Sequence, residues 1–166
     1  MFSFLGPNGS GETTTIFMLC DPIVPDSGSR QFLSYDVIKE SLEIKRQSGY
    51  MMQRFSLYED LSVAENLNYV ARLYGIKNGK TLVKRSIEEL VGLADRSEQL
   101  ELAGTLSGGW KQHLALSAEL IHGPKLLLLD KPTAGVDPKT RREFYDHIHY
   151  LAKQGITILV ITYLYG

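Results

Sequence analysis

The chain has 166 residues, 43% of them hydrophobic, and a formal net charge of −1. This length and composition predict one globular domain with its own core, and the charge balance indicates no nucleic-acid partner. No apolar stretch is long enough to span a bilayer and no basic segment leads into a signal-type apolar region, so we expect a cytosolic protein. The single cysteine, Cys20, excludes an internal disulfide, and the four histidines have no spacing typical of a metal site.

A glycine-rich segment near the N-terminus is the first chemical feature, and it lies between an apolar run at 2–5 and a predicted helix at 13–19. Its residues are Gly6, Pro7, Asn8, Gly9, Ser10, Gly11, Glu12, Thr13 and Thr14. The pattern Gly-x-x-x-x-Gly-Lys-Ser/Thr forms a phosphate-binding loop, whose amides cradle phosphate oxygens and whose hydroxyl holds Mg²⁺. The segment matches this pattern except that Glu12 stands at the lysine position. The other reading is a Gly/Pro-rich turn that only connects two elements.

Strands and helices alternate along the rest of the chain, which predicts a parallel α/β sheet. In chain order the predicted elements are a loop at 21–28, strands at 30–33 and 48–52, helices at 62–74, 81–91 and 107–121, a strand at 125–129, a helix at 138–155 and a closing strand at 156–161. Capping residues support three of the helix starts. They are Ser62 with Glu65, Ser107, and Asp137 with Pro138.

The apolar strand at 125–129 is followed by Asp130, the second chemical feature. An aspartate at the C-terminal end of a buried parallel strand lies where open α/β sheets bind ligands. In proteins with a phosphate-binding loop, this aspartate orders Mg²⁺ together with the loop hydroxyl, which here belongs to Thr13. Taken singly, Asp130 can also be read as a residue that only caps the following turn. Together with the glycine-rich loop, it predicts a magnesium–nucleotide site.

Three further short segments accompany these two features along the chain: Tyr50-Met51-Met52-Gln53, Leu106-Ser107-Gly108-Gly109 and Gly135-Val136-Asp137-Pro138. They resemble, respectively, the Q-loop, the signature motif and the D-loop of the nucleotide-binding domain of ATP-binding-cassette (ABC) transporters. The order and spacing of all five features resemble that family across nearly the whole chain. The segments at 57–67 and 120–125 are most similar to the bacterial drug-exporter type.

The resemblance implies a fold and a domain organisation. The fold is an α/β P-loop NTPase with a mostly parallel sheet flanked by helices, and with an inserted helical subdomain at residues 54–106. Residues 1–166 are expected to form a single ATP-binding domain. Relative to the family this domain is expected to be truncated, since the N-terminal antiparallel strands, with their adenine-stacking aromatic residue, and the C-terminal end are missing.

The resemblance also implies the roles of the site residues. ATP is bound by residues 6–14 and, from a partner cassette, by the signature turn of Ser107, Gly108 and Gly109. The residues implied to hold Mg²⁺ are Thr13, Gln53 and Asp130. The positions implied to carry catalysis are Gln53, Asp130, Lys131 and Tyr163.

The partners implied by the resemblance are a second ABC cassette, in a homodimer or heterodimer, and a separate transmembrane permease. Gln53 senses the γ-phosphate and passes closure of the dimer to the permease through the helices at 62–91. The chain is then cytoplasmic and peripheral to the cytoplasmic membrane, which it reaches only through the permease. Two cassettes sandwich two ATP molecules.

Five positions depart from the family pattern: Glu12 for the P-loop lysine, Lys131 for the catalytic glutamate, Trp110 for glutamine, His113 for arginine and Tyr163 for the switch histidine. Two unit charges about 4 Å apart interact by about 4 kcal/mol near a protein surface, so an anion beside the phosphates is expected to weaken ATP binding. Lys131 cannot act as a general base and would repel Mg²⁺. The resemblance implies an ATPase, but the rate of ATP hydrolysis by this chain is therefore expected to be near background.

Two readings of the exchange between Glu12 and Lys131 stay open. In the first reading the site still senses a nucleotide, because the two side chains pair or because Lys131 supplies the lost positive charge. In the second reading the departures reflect independent decay. Three functions follow from the resemblance. They are an ATPase subunit driving export through a permease, a non-hydrolysing partner that lends its signature turn in a heterodimer, and a truncated remnant without a role.

Overall fold

The computed structural model describes residues 1–6, 11, 14, 18, 31–53, 56–91 and 100–163, and for residues 4–6, 91, 162 and 163 it describes the backbone. Six of the predicted nucleotide-binding residues lie outside the described part of the chain: Pro7, Asn8, Gly9, Ser10, Glu12 and Thr13. The predicted loop at 21–28 also lies outside it, as does most of the predicted helix at 13–19.

The chain divides into two compact units. The first, which we name the sheet unit, comprises Met1–Gln53, Pro124–Pro132 and Ile148–Gly166. The second, which we name the helical unit, comprises Arg54–Gly123 and Thr133–His147. The segment 54–106, expected from the sequence to be a helical subdomain, falls within the helical unit, which also takes in the residues around the signature motif and the D-loop.

Strands and helices follow the predicted order. In the described residues the strands are β1 (Phe2–Gly6), β2 (Gln31–Phe32), β3 (Tyr35–Asp36), β4 (Ser48–Met51), β5 (Leu126–Asp130) and β6 (Thr157–Tyr163). The helices there are α1 (Ser41–Gln47), α2 (Val63–Leu73), α3 (Gly79–Val91), α4 (Gly108–Leu120) and α5 (Pro138–Lys153), with a 3₁₀ turn at Ala103–Thr105. Apart from the strand at 30–33, the predicted elements that fall in these residues are confirmed, with bounds shifted by one or two residues.

The sheet unit is built on four parallel strands in the order β1-β6-β5-β4. The central strand β5 is buried at all five positions, as expected for a parallel strand whose composition is apolar without alternation. Its register pairs Leu128 with Leu159 on one side and with Tyr50 on the other. The parallel α/β sheet predicted from the sequence is confirmed, and it brings all four carboxyl ends to one edge.

The predicted strand at 30–33 is only partly correct, because β2 has two residues and pairs antiparallel with β3 in a separate hairpin. The two turn residues, Leu33 and Ser34, have φ values of 52° and 69°, the left-handed conformation that a tight two-residue hairpin requires at both positions. Phe32 and Leu33 pack against the buried sheet residues Leu126, Leu128 and Ile161. The hairpin therefore shields part of the sheet from solvent.

Helix α1 is absent from the sequence-based prediction. Its N-cap residue, Glu40, makes no side-chain cap, and Ile44 is its one buried residue, so the segment carries neither a capping signal nor an apolar stripe. The turn before it is held instead by Asp36, whose carboxylate accepts the N–H groups of Ile38 and Lys39 at 2.9 and 2.8 Å. These bonds lower the pKa of Asp36.

The helical unit begins with the predicted capping box. Ser62 Oγ accepts the N–H of Glu65 at 3.3 Å, and Glu65 Oε2 accepts the N–H of Ser62 at 2.8 Å, which also lowers the pKa of Glu65. Helices α2, α3 and α4 then bury a shared apolar core. Its members are Val63, Leu67, Ala71, Val83, Ile87, Leu90, Ala103, Leu106, Leu114, Ala118 and Ile121.

Candidate functional site

The carboxyl edge of the parallel sheet gathers several of the predicted site residues. Strand β1 ends at Gly6, which pairs in register with Tyr163 at the end of β6. Strand β5 ends at Asp130, and Gln53 follows β4 by two residues. Because parallel strands place their carboxyl ends on the same side, the four predicted positions share the edge at which open α/β sheets bind ligands.

Asp130 is buried at this edge, with 6% of its surface exposed, whereas Gln53 is exposed. A buried carboxylate and an exposed amide oxygen at neighbouring strand ends are hard oxygen donors of the kind that Mg²⁺ prefers. Gly11 lies in the glycine-rich loop with φ of 87°, a conformation that favours glycine, and Thr14 is helical and exposed. Gly11 and Thr14 thus have the backbone conformations of a turn residue and a helical residue, respectively.

Lys131 stands directly after Asp130 in a constrained backbone. Its N–H donates to the carbonyl of Ile161 at 2.9 Å, and its φ is 49°, in the left-handed region that lysine rarely adopts. This main-chain bond to β6 therefore fixes the backbone position of Lys131, one residue past the buried carboxylate. A cation thus occupies the position at which the family resemblance implies a glutamate.

The signature turn belongs to the helical unit and has the predicted cap. Ser107 Oγ accepts the N–H of Trp110 at 3.4 Å, and α4 begins at Gly108. Ser107 and Gly108 are exposed, and nothing lies within 4 Å of the position that a Cβ of Gly108 would take. The first N–H groups of a helix have no intrahelical acceptor, so this turn presents donors to an approaching anion.

The D-loop forms the predicted start of α5. Gly135 has φ of 76°, and Asp137 Oδ1 accepts the N–H groups of Lys139 and Thr140, both at 3.1 Å. Hydrogen bonding from the side chain and the N–H of Thr140 lowers the pKa of Asp137. Asp137 and Pro138 are confirmed as N-cap and first helical residue.

An aromatic cluster beside the signature turn was not predicted; we define it as Trp110, His113, Phe144 and His147. The His113 ring lies 6.3, 5.9 and 6.0 Å from those of Trp110, Phe144 and His147, measured between ring centroids. His113 is 8% exposed and Phe144 fully buried. Desolvation lowers the pKa of both histidines, and their mutual repulsion contributes for His113. Two departures from the family pattern, Trp110 and His113, thus contact one another inside a packed group.

A second region of the helical unit is exposed and aromatic. The hydroxyls of Tyr58 and Tyr69 lie 3.1 Å apart, and both side chains, like that of Leu73, are exposed. A cleft of about 350 Å³ lies between the end of α2 and the start of α3. It has an apolar floor of Ala71 and Ile76 and carries the cations Arg72, Lys77 and Lys80 on its rim.

No group of three or more histidine, cysteine, aspartate or glutamate residues in the described part of the chain could hold a metal ion. None of the described helices is both long and apolar enough to cross a membrane.

Comparison with known proteins identifies the family. The sequence model of the ABC transporter family matches residues 1–134. The chain belongs to this family. Among its relatives, the "Probable multidrug ABC transporter ATP-binding protein YbhF" of Escherichia coli is 42% identical over 98% of this chain, and the "Bacitracin transport ATP-binding protein BcrA" of Bacillus licheniformis is 38% identical over 99%. The chain spans 28% and 53% of the lengths of these relatives.

The solved structures agree with the sequence relatives. The ATP-binding cassette MJ0796, in a dimer bound to ADP and phosphate, superposes with a TM-score of 0.83 at 26% identity, covering 98% of this chain and 74% of that one. The chain therefore has the P-loop NTPase fold of ABC cassettes, as predicted, and its similarity to ATP-binding proteins of drug exporters is confirmed.

Proposed function

We propose that this chain is the ATP-binding part of an ABC exporter, in which ATP binding drives transport through a separate membrane permease and hydrolysis is impaired in this copy. The observation that carries the proposal is the shared sheet edge where β1, β4, β5 and β6 end, with buried Asp130 at its centre. Family membership supplies the ligand class, because ABC cassettes bind ATP with Mg²⁺.

The residue types at this edge are those that bind Mg-ATP. Mg²⁺ binding would fall to Asp130 and Gln53 together with the hydroxyl of Thr13, and the phosphates to the loop at 6–14. Once bound, Mg²⁺ would neutralise phosphate charge. Asp130 contributes a carboxylate held by a buried strand, so its position changes little when the ligand arrives.

Impaired hydrolysis follows from the charges beside these ligands. The family role of position 131 is to orient and activate water as a carboxylate, and a lysine ammonium has no basic atom to offer while charged. Glu12 adds a negative charge where the phosphates need a cation, so we expect weakened ATP affinity as well. The catalytic positions of this proposal are Gln53, Asp130, Lys131 and Tyr163.

We propose that the helical unit contacts the permease. Its exposed side chains Tyr58, Tyr69 and Leu73 form an apolar area, and the cleft between α2 and α3 adds cations, so a partner helix with apolar and acidic residues would fit it. The names of the relatives favour drug or antibiotic compounds as cargo. The protein would then lie on the cytoplasmic face of the membrane, bound there through the permease.

A second candidate function is a non-hydrolysing partner in a heterodimer. It is favoured by the contrast between Lys131 and the signature turn, where Ser107 caps α4 and Gly108 is open to solvent. Such a chain would lend its signature turn to ATP held by another cassette. Copurification with an active cassette, and loss of that cassette's ATPase on Ser107→Arg, would distinguish this role from the first.

The decisive experiment is a calorimetric titration of two proteins with Mg-ATP: the wild type and the Glu12→Lys/Lys131→Glu double variant. We expect the double variant to bind at least about 100-fold more tightly, equivalent to about 2.7 kcal/mol, and to hydrolyse ATP. Asp130→Asn in the double variant is the control and should abolish hydrolysis. Equally tight binding by the wild type would contradict the weakened site and favour a compensating role for Lys131.

A further inference from the structure

The two glycines of the signature turn have different surroundings. A Cβ built on Gly108 would meet nothing within 4 Å. A Cβ built on Gly109 would lie 2.6 Å from Cγ2 of Thr140, with Oγ1 and Cβ of the same residue at 3.5 and 3.6 Å. Non-bonded carbon atoms do not approach one another to 2.6 Å, so a Cβ at position 109 would clash with Thr140 unless Thr140 moved.

Thr140 is held firmly. Its N–H donates to Oδ1 of Asp137, the residue that caps α5, at 3.1 Å, and its side chain contributes to the lowered pKa of that carboxylate. A β-branched residue in a helix has few χ1 rotamers, so the Thr140 side chain has few positions to which it can move away from Gly109. The methyl group that faces Gly109 is therefore restricted by its own helix, beside the D-loop cap and within a single unit of the fold.

We propose that Thr140 is a positioning residue for the signature turn: its methyl group supports the backbone at Gly109, so that Gly109 serves packing against α5 and Gly108 is the glycine open to a ligand. This rests on the proposed function in one respect, that the signature turn meets a nucleotide held by a second cassette. The support itself is a property of the chain alone.

The consequence concerns the N–H groups at the start of α4. The N–H of Trp110 goes to Ser107 Oγ and that of Lys111 to the Ser107 carbonyl, so the turn offers the N–H groups of Gly108 and Gly109 to a phosphate. Donors aimed at developing charge act only when their positions are preset. Thr140 presets them, and it links the signature turn to the D-loop cap through Asp137.

The first test is a double-mutant cycle on thermal stability with no nucleotide present. Gly109→Ala should lower the Tm by about 2–10 °C, and Thr140→Ser, which deletes the methyl group and keeps the hydroxyl, should restore at least half of that loss. Gly108→Ala is the matched control and should leave the Tm unchanged or raise it, because alanine favours the helix. Additive effects of Gly109→Ala and Thr140→Ser would overturn the support at Gly109.

The second test is Mg-ATP-dependent dimerisation of two copies in the Glu12→Lys/Lys131→Glu background, followed by light scattering. Gly109→Ala should weaken dimerisation about tenfold and Thr140→Ser should restore it, whereas Gly108→Ala should weaken dimerisation without lowering the Tm and without rescue by Thr140→Ser. Rescue of both glycine variants, or of neither, would overturn the division of roles. If the parent forms no dimer with Mg-ATP, the proposed function fails and with it the nucleotide role of the turn, while the thermal cycle still decides whether Thr140 supports Gly109.

Discussion

The carboxyl edge of the sheet unit and the signature side of the helical unit, where α4 begins, differ in how they carry their departures from the family pattern. At the sheet edge, Lys131 follows a buried strand end and its side chain is half-buried. On the signature side, His113 lies against both Trp110 and Phe144 inside the unit. The comparison teaches that a departure directly after a strand leaves the strand and its register intact, whereas a departure on the face between two packed helices becomes part of the core.

The two regions also differ in what holds the structure around the changed residues. The register of β5 and β6 and the burial of Asp130 do not depend on which side chain follows, because main-chain bonds and apolar residues hold the strand. The aromatic cluster instead requires its own members, since each ring fills space that a smaller residue would leave empty. Restoring the family residue should therefore leave the stability almost unchanged at the sheet edge and lower it in the aromatic cluster.

The largest expected effect comes from restoring the family residue on each side. His113→Arg should destabilise the fold by about 2–4 kcal/mol in urea denaturation, because it places a charge among Phe144 and Trp110. Lys131→Glu, the equivalent restoration at the sheet edge, should change stability by less than about 0.5 kcal/mol. His113→Phe is the control for size. Equal effects of the two restorations would break the comparison.

A smaller effect isolates the backbone at the sheet edge. Lys131→Gly should be more stable than Lys131→Ala by about 1–2 kcal/mol, because alanine retains the Cβ that the left-handed conformation at φ of 49° disfavours. The two variants remove the same charge, so their difference reports on the backbone alone. Equal unfolding free energies for the two would show that the turn after Asp130 relaxes freely.

The smallest expected effect is a pH dependence confined to the signature side. The pKa values of His113 and His147 are lowered by burial, against a weaker opposing attraction from Glu143 on α5 for His113 and from Glu89 on α3 for His147. Because their folded pKa values lie below the ordinary 6.5, their neutral forms are favoured in the folded state. Their contribution is full above pH 6.5 and is lost as the pH falls through the folded pKa values.

Thermal melts at pH 7.5 and 5.5 measure this contribution. The Tm of the wild type should fall by about 2–4 °C between these values, and His113→Phe should reduce the fall. The window lies above the pKa range of Asp137 and Glu65, both lowered by hydrogen bonds, so their carboxylates stay ionised throughout. An identical fall in Tm for the wild type and His113→Phe would show that the aromatic cluster does not cause the pH response.

Much of the fold was predictable because its signals are local. The apolar composition of β5, the capping box of Ser62 and Glu65, and the cap of α5 by Asp137 each lie within a few residues of the element they specify. The shared position of Gln53, Asp130 and Tyr163 at one edge follows from the parallel sheet, which brings every carboxyl end to the same side, while their roles stay predictions. Helix α1 and the β2–β3 hairpin lacked such signals and were missed or misjudged.

The sequence by itself therefore determined the family, the order of the elements and the change of charge at Glu12 and Lys131. The tertiary structure alone decided that His113 packs against Phe144 and that Gly109 lies against Thr140. The physical reason is separation along the chain: α4 and α5 lie about 30 residues apart, and no local periodicity specifies which of their residues meet. Those contacts arise only when both helices bury their faces together.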